Sequence, residues 1–156
     1  MANAGPSFSL SNGYYMNLTL SKITATDTLD GSTDLLPSPI AVLLASSVAD
    51  LYLPSLICDR FASAFGLISD DSSPDLGSFT INASMHQQLR RINPLITFTL
   101  ADQIEPSTSV DIVLSYKSLD VAFGNESDVG SNPFFPVQNI GSVSLGALGR
   151  RFFQEM

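Results

Sequence analysis

Hydrophobic and polar residues alternate along several short stretches of the chain. Apolar side chains occupy every second position in residues 14–20, again in 96–100 and again in 110–114. This period of two is typical of β-strands with one buried face. A short apolar run at 39–44, flanked by Pro and Ser, predicts a fully buried strand, and Leu51–Leu53 predicts a further short one.

Turn-forming residues separate these stretches. The Asp30-Gly31 step lies between two extended runs and predicts a hairpin over 27–32. Residues 102–109 are expected to form a polar loop between two strands. Residues 125–136 are rich in Asn, Ser, Gly and Pro, a composition that predicts a surface loop.

One segment has helical spacing. Its apolar residues, between Ile57 and Phe65, recur three and four positions apart. Ser55 is the predicted N-cap, and Gly66 stands where a left-handed C-terminal cap belongs. Short strands with turns between them and one short amphipathic helix predict an all-β fold.

The composition indicates one folded domain. The chain has 156 residues, of which 44% are hydrophobic and 14% charged, and this excludes a disordered polymer. We expect a single domain over residues 1–156. The net charge of -8 argues against nucleic acid and anionic lipid as partners. The longest apolar run, residues 40–45, is much shorter than a membrane helix requires, so no membrane partner is expected.

Cysteine and histidine are scarce. Cys58 and His86 are single, so an internal disulfide and the usual zinc set of four Cys or His ligands are excluded. We expect no metal site and no cofactor. Cys58 is expected to be a small buried hydrophobe, and His86 lies in a polar run that predicts exposure.

Two further residue pairs have alternative interpretations. Arg150-Arg151 is expected to form ion pairs rather than a phosphate site, because the chain is acidic overall. Phe134-Phe135, beside Pro136, predicts core packing of a returning strand, with an exposed contact surface as the alternative.

Three tripeptides fit the N-glycosylation pattern, at Asn17, Asn82 and Asn125. Together they favour a secreted protein or one in the secretory pathway. The alternative is that they are ordinary loop and strand residues that carry no sugar. The first residues lack the charged and apolar regions of a signal peptide, so we expect such a signal to lie outside this sequence.

Several short landmarks follow one another between residues 40 and 67. An apolar run leads into Ala45-Ser46-Ser47, and then come a Leu-Pro step, a Cys-bearing helix and Phe-Gly-Leu. This order resembles the C-terminal lobe of fungal pepsin-like aspartic peptidases, the peptidase A1 family. Later segments resemble the strands that follow in that lobe and its hydrophobic-hydrophobic-Gly element, and they are residues 93–100, 110–116, 134–137 and 148–155.

The resemblance implies a single pepsin-like lobe, degenerate and truncated, because it spans about half of the family's two-lobed architecture. In the family, the buried strand delivers a catalytic Asp in an Asp-Ser/Thr-Gly or Asp-Ser-Ser triplet. Here that position is Ala45, and no carboxylate replaces it. Aspartic peptidases need two carboxylates that share a proton. The resemblance therefore implies no catalytic residue and a pseudo-peptidase.

Two other carboxylates are alternatives for the missing Asp. Asp30-Gly31-Ser32-Thr33 is similar to an Asp-Thr-Gly-Ser signature, but no buried apolar strand precedes it. Asp50 lies beyond the small-residue turn, and we expect it to be a solvated charge at a strand end. The resemblance also implies a paired Cys at position 58, whereas Cys58 is alone in this chain.

The first function predicted is a catalytically inactive binding module for an extended peptide or a protein partner. Its peptide-binding candidates are Ala45, Ser46, Ser47 and Val48, because strand-like recognition needs no special side chains. The alternative is one lobe of an aspartic endopeptidase, completed by a separate N-terminal lobe. A third possibility is a drifted product with no ligand.

A homodimer is also expected. The family continues beyond the segment that resembles residues 148–155 into further strands that finish the lobe. A lobe without them is expected to expose a sheet edge, which a second copy of the chain could cover.

Overall fold

The computed structural model describes residues 17–70, 77–102, 107–120, 134–143 and 145–153. Its described strands are β1 (Asn17–Thr28), β2 (Gly31–Asp34), β3 (Ile40–Leu44), β4 (Leu51–Leu53), β5 (Leu67–Asp70), β6 (Gly77–Ile81), β7 (Leu95–Ala101), β8 (Ser109–Ser115), β9 (Phe134–Asn139) and β10 (Leu145–Leu148). Its described helices are α1 (Ser55–Phe65), α2 (Ala83–Ile92), α3 (Tyr116–Asp120) and α4 (Arg150–Phe153). None of the described helices is long and apolar enough to cross a membrane.

All ten strands belong to one sheet. Their order is β5-β6-β9-β4-β10-β3-β1-β7-β8, and β2 pairs with β1 beside this series. The late strand β10 lies between β3 and β4, which follow each other in the sequence. It is parallel to β3 and antiparallel to β4. The connection from β3 to β4 must therefore pass around the end of β10.

The alternating segments form strands, although their bounds differ from the predicted ones. The apolar run at 39–44 forms β3, but the prediction of full burial is wrong, because Val42 is the one buried residue in this strand. β1 runs on through residues 21–28, with a register shift between Leu20 and Lys22, where the alternation of side chains is interrupted. Residues 14–16 of the predicted first strand lie outside the described residues. The hairpin over 27–32 is confirmed, because Thr28 pairs with Gly31 across the turn.

The predicted amphipathic helix is confirmed as α1. Its buried face includes Ile57, Phe61 and Phe65, and Gly66 ends it with a left-handed φ of 65°. The N-cap prediction is wrong, because Pro54 holds that position and gives no side-chain cap. Ser55 instead donates its hydroxyl hydrogen to Asn139 Oδ1 at 2.9 Å, so its side chain joins the helix to β9.

The structure adds a second helix, α2, which the hydrophobic pattern did not predict. Leu89 is its only buried residue, so the apolar signal is weak. Local signals were present: Asn82 caps the first turn through Ser84 N at 2.8 Å, and Asn93 ends the helix in a left-handed conformation. The exposure predicted for His86 is wrong, because the ring is half-buried and its Nδ1 lies 2.9 Å from Tyr116 Oη.

An aromatic cluster fills the space between α1 and β9. Phe65 contacts both Phe61 and Phe135 with ring centroids 5.9 and 5.8 Å apart, and Tyr116 adjoins them. Phe135 is 1% exposed, which confirms core packing for this residue. The loop predicted for 125–136 is wrong over residues 134–136, because β9 begins at Phe134 and Pro136 is buried within it. Residues 125–133 lie outside the described part.

Candidate functional site

The turn that follows β3 contains all four peptide-binding candidates. The Ala45 amide donates to the Leu148 carbonyl oxygen at 3.0 Å, and the Val48 amide donates to the Ala45 carbonyl oxygen at 3.3 Å. These two bonds close residues 45–48 into a turn at the end of β3. Ser46 and Ser47 are exposed, while Ala45 and Val48 are half-buried. The structure therefore brings the four candidates together on one surface.

The segment joining β10 to α4 fixes the other side of this turn. The amides of Arg150 and Arg151 donate to the carbonyl oxygens of Val48 and Ala49 at 2.7 and 3.2 Å. Gly149 makes this approach possible, since a Cβ there would lie 2.2 Å from the Asp50 carbonyl oxygen. A residue without a side chain is required where two backbones approach so closely. Residues 45–50, called the 45–50 turn below, are thus held by the backbone of β10 and α4.

Asp50 is not the solvated strand-end charge that the sequence predicted. Its side chain is 13% exposed, and Oδ1 lies 3.0 Å from Arg151 Nε. Its second oxygen accepts a hydrogen bond from Gln138 Nε2 at 3.3 Å. This confirms an ion pair for Arg151, formed with a residue 101 positions away. Both Asp50 oxygens are engaged in holding β4, β9 and α4 together.

The chemistry of the turn follows from these positions. In residues 40–53 Asp50 is the one carboxylate, and the position where the resemblance implies a catalytic Asp holds the Ala45 methyl group. A methyl group neither binds nor transfers the proton that two-carboxylate catalysis requires. Asp30, the other candidate, is exposed on the β1–β2 hairpin and accepts a hydrogen bond from Ser63 Oγ at 3.3 Å. Among the described residues, no three His, Cys, Asp or Glu side chains lie close enough to hold a metal ion.

Cys58 lies on the core side of α1 and is completely buried, as predicted. Its Sγ donates to the Leu53 carbonyl oxygen at 3.3 Å. Burial, together with the negative charge of the neighbouring Asp59, raises the pKa of the Cys58 thiol to about 12. The thiol is therefore protonated at neutral pH and has no nucleophilic character.

The glycosylation candidates occupy different environments. Asn82 is exposed at the start of α2, where its Oδ1 accepts from the Ser84 amide and its Nδ2 is not needed for the cap. Asn17 is the first residue of β1 and pairs with Leu43. Asn125 lies outside the described residues.

Sequence reasoning missed the group formed by Asp50, Gln138 and Arg151. Asp50 and Gln138 are 88 positions apart, and Asp50 and Arg151 are 101 apart. No spacing pattern links them, because their proximity depends on the insertion of β10 beside β4 and on β9 pairing with β4. The sequence offered one indirect signal, the Leu148-Gly149 element that the resemblance placed here.

Comparison with known proteins identifies the fold. No family model matches the sequence, and no curated protein matches it. Among solved structures, the aspartic proteinase from Irpex lacteus is similar, with a TM-score of 0.50 and 13% sequence identity. The match covers 94% of this chain and 44% of that one, so the chain spans less than half the length of the proteinase. The described residues form one sheet with few helices, and the chain has the all-β fold of a single pepsin-like lobe.

Proposed function

We propose that this chain is a C-terminal-type pepsin-like lobe that binds an extended peptide or a protein partner without hydrolysing it. The observation that carries the proposal is Ala45, which directly follows β3 at the position where the resemblance implies an Asp. A lobe with this residue keeps the surface on which an extended chain can lie. It contributes no carboxylate to peptide hydrolysis.

The 45–48 surface supports this proposal through its backbone. Ser46 and Ser47 are exposed, and among the described residues no hydrogen bond uses their amides or hydroxyl groups. Exposed amides and hydroxyl groups can pair with the main chain of an extended peptide, which gives affinity without a specific side-chain code. The bonds from β10 and α4 hold the turn in one shape, so little entropy is lost on binding.

A binding experiment tests the proposal. The wild-type chain is titrated with a mixed library of extended peptides, and the peptides are then analysed by mass spectrometry. We expect binding with no cleavage product. Ser46→Trp is expected to reduce binding by obstructing the turn, whereas Ser38→Trp, an exposed serine before the opposite end of β3, leaves it unchanged. Absence of binding, or equal loss in both variants, would reject the proposal.

One specific observation favours a second candidate function. The chain matches 44% of a whole aspartic proteinase, which is close to the share of one lobe. A separate N-terminal lobe would then complete an endopeptidase, and because Ala45 has no carboxylate, that lobe would have to supply the catalytic carboxylates. This candidate predicts pepstatin-sensitive proteolysis at acid pH when such a lobe is added. If mixing the two lobes yields no proteolysis, the completed endopeptidase is excluded and the binding module stands.

A further inference from the structure

The last strand in the described sheet, β8, has an outer edge that no described strand covers. Among the described strands it pairs with β7 alone. That ladder runs from Leu95 opposite Ser115 to Ala101 opposite Ser109 without a register shift. In an antiparallel edge strand of this kind, alternate residues direct their backbone N–H and C=O groups away from the sheet. As far as the described residues go, β8 therefore offers a regular set of backbone groups with no partner strand.

Features that normally protect an edge are missing from β8. The strand contains no Pro, no Lys and no bulge. Its single charge, Asp111, accepts a hydrogen bond from Thr99 Oγ1 at 2.6 Å within the same sheet. Val113, on the same face as Asp111, is 47% exposed. An edge of this composition favours pairing with another strand.

The sequence of β8 is nearly the same in both directions about its centre. Its residues read Ser-Val-Asp-Ile-Val-Leu-Ser, with Ile112 in the middle. When two copies pair antiparallel about Ile112, Ser109 faces Ser115, Val110 faces Leu114, and Asp111 faces Val113 of the second copy. Buried-face residues then lie opposite buried-face residues, which sheet pairing requires. The side chains of Val110 and Ile112 would extend the apolar layer across the interface.

Charge and length select this register among the alternatives. Pairing about Asp111 would place two Asp111 carboxylates opposite each other, and like charges in directly opposed positions are destabilising. Pairing about Val113 would shorten the ladder to residues 111–115. A register centred midway between two neighbouring residues, rather than on one residue, would place buried-face side chains opposite exposed ones. Ile112 is the centre that uses the whole strand and avoids the repulsion.

We propose that β8 is a dimerisation edge, through which two copies of this chain join antiparallel about Ile112 into one continuous sheet. The register of β1 with β3 and β7 places the 45–50 turn at the Ser109 end of β8. Antiparallel pairing therefore puts the two turns at opposite ends of the dimer. Ala45 does not face its counterpart, and the dimer forms independently of peptide binding at the turn.

The interface is small. A single pair of seven-residue strands buries less than the roughly 1,600 Å² of a standard interface, so the dimer is weak and depends on concentration. Sedimentation equilibrium of the wild-type chain measures this directly. We expect the mean mass to rise from 16.7 kDa toward twice that value as the concentration approaches about 1 mM.

Two substitutions at one exposed position separate this dimer from others. Val113→Asp places a carboxylate opposite Asp111 of the second copy, at two symmetric positions, and is expected to weaken association by about fivefold. Val113→Lys places an ammonium group there and is expected to strengthen it by a similar factor. Circular dichroism and unfolding curves establish that both variants fold.

Leu95 provides the matched control. It is 44% exposed on the same face of the sheet, but it lies on β7, one strand inside the edge. Leu95→Asp changes the net charge by the same amount as Val113→Asp, and Leu95→Lys by the same amount as Val113→Lys. Both Leu95 variants are expected to leave association unchanged. A wild-type chain that remains monomeric to about 1 mM overturns the proposal. A dimer that responds equally to both Val113 variants, or to the Leu95 variants as well, also overturns it, because the contact then lies elsewhere.

Discussion

The Cys58 thiol lies in the core beneath α1 and shows how one environment sets the chemistry of a residue. Its pKa is raised from 9.0 to about 12, first by burial and then by Asp59. In the unfolded chain the thiol loses its proton near pH 9, while in the folded chain it keeps it. Protonation therefore favours the folded state. The stabilisation is complete below pH 9 and is lost as pH rises toward 12.

This linkage gives a measurable pH dependence. Between pH 9 and 11, the free energy of unfolding is expected to fall by up to about 1 kcal/mol per pH unit through Cys58. Urea unfolding of the wild type and of Cys58→Ala at several pH values isolates this contribution, because the other titrating groups are common to both. Parallel pH profiles for the two proteins would contradict the assignment.

Gly149 is a second residue whose properties are set by its environment, because the backbone around it leaves no room for a side chain. A Cβ atom would lie 2.2 Å from the Asp50 carbonyl oxygen and 2.8 Å from that of Val48, both of them backbone atoms. Gly149→Ala must therefore move the 45–50 turn away from β10. We expect it to cost at least about 2 kcal/mol of unfolding free energy.

Gly141→Ala is the control for this substitution. Gly141 has a left-handed φ of 85° but open space around its would-be Cβ, so only backbone strain of about 1 kcal/mol is expected. Thermal and urea unfolding compare the two variants. A Gly149→Ala protein as stable as Gly141→Ala would show that the close approach at the 45–50 turn is not required by the fold.

At the scale of the element, α2 depends on its ends because its buried face is small. The Asn82 side chain accepts from the Ser84 amide, one of the first-turn N–H groups that has no partner within the helix. Asn82→Ala removes this acceptor and is expected to destabilise the protein by about 1 kcal/mol. Asn82→Asp keeps the acceptor and should retain most of the stability. Chemical unfolding measures both, and equal values would contradict a capping role.

Elements with strong local patterns could be predicted from the sequence. Strict alternation identified β7 and β8, and the spacing of apolar residues with Gly66 identified α1. The helix α2 was missed because Leu89 alone is buried, so its apolar period is hidden in a polar run. Local patterns succeed where burial repeats along an element and fail where it does not.

At the scale of the molecule, the candidate site could be predicted only in part. Ala45 to Val48 are contiguous, so a resemblance to a known lobe was enough to place them together. The contact of Asp50 with Gln138 and Arg151 depends on the order of strands in the whole sheet. The strand order cannot be read from the sequence of any single segment. The partners of Asp50 were therefore not predicted, and the sequence indicated a solvated charge instead.

We propose that the 45–48 surface of this pepsin-like lobe binds an extended chain without cleaving it. The most direct test is a two-dimensional amide NMR spectrum of the labelled wild-type chain, recorded during titration with the extended-peptide library. We expect shifts centred on the amides of Ala45, Ser46, Ser47 and Val48, with every added peptide intact by mass spectrometry at the end. Unchanged amide positions at these four residues, or cleaved peptides, would contradict it.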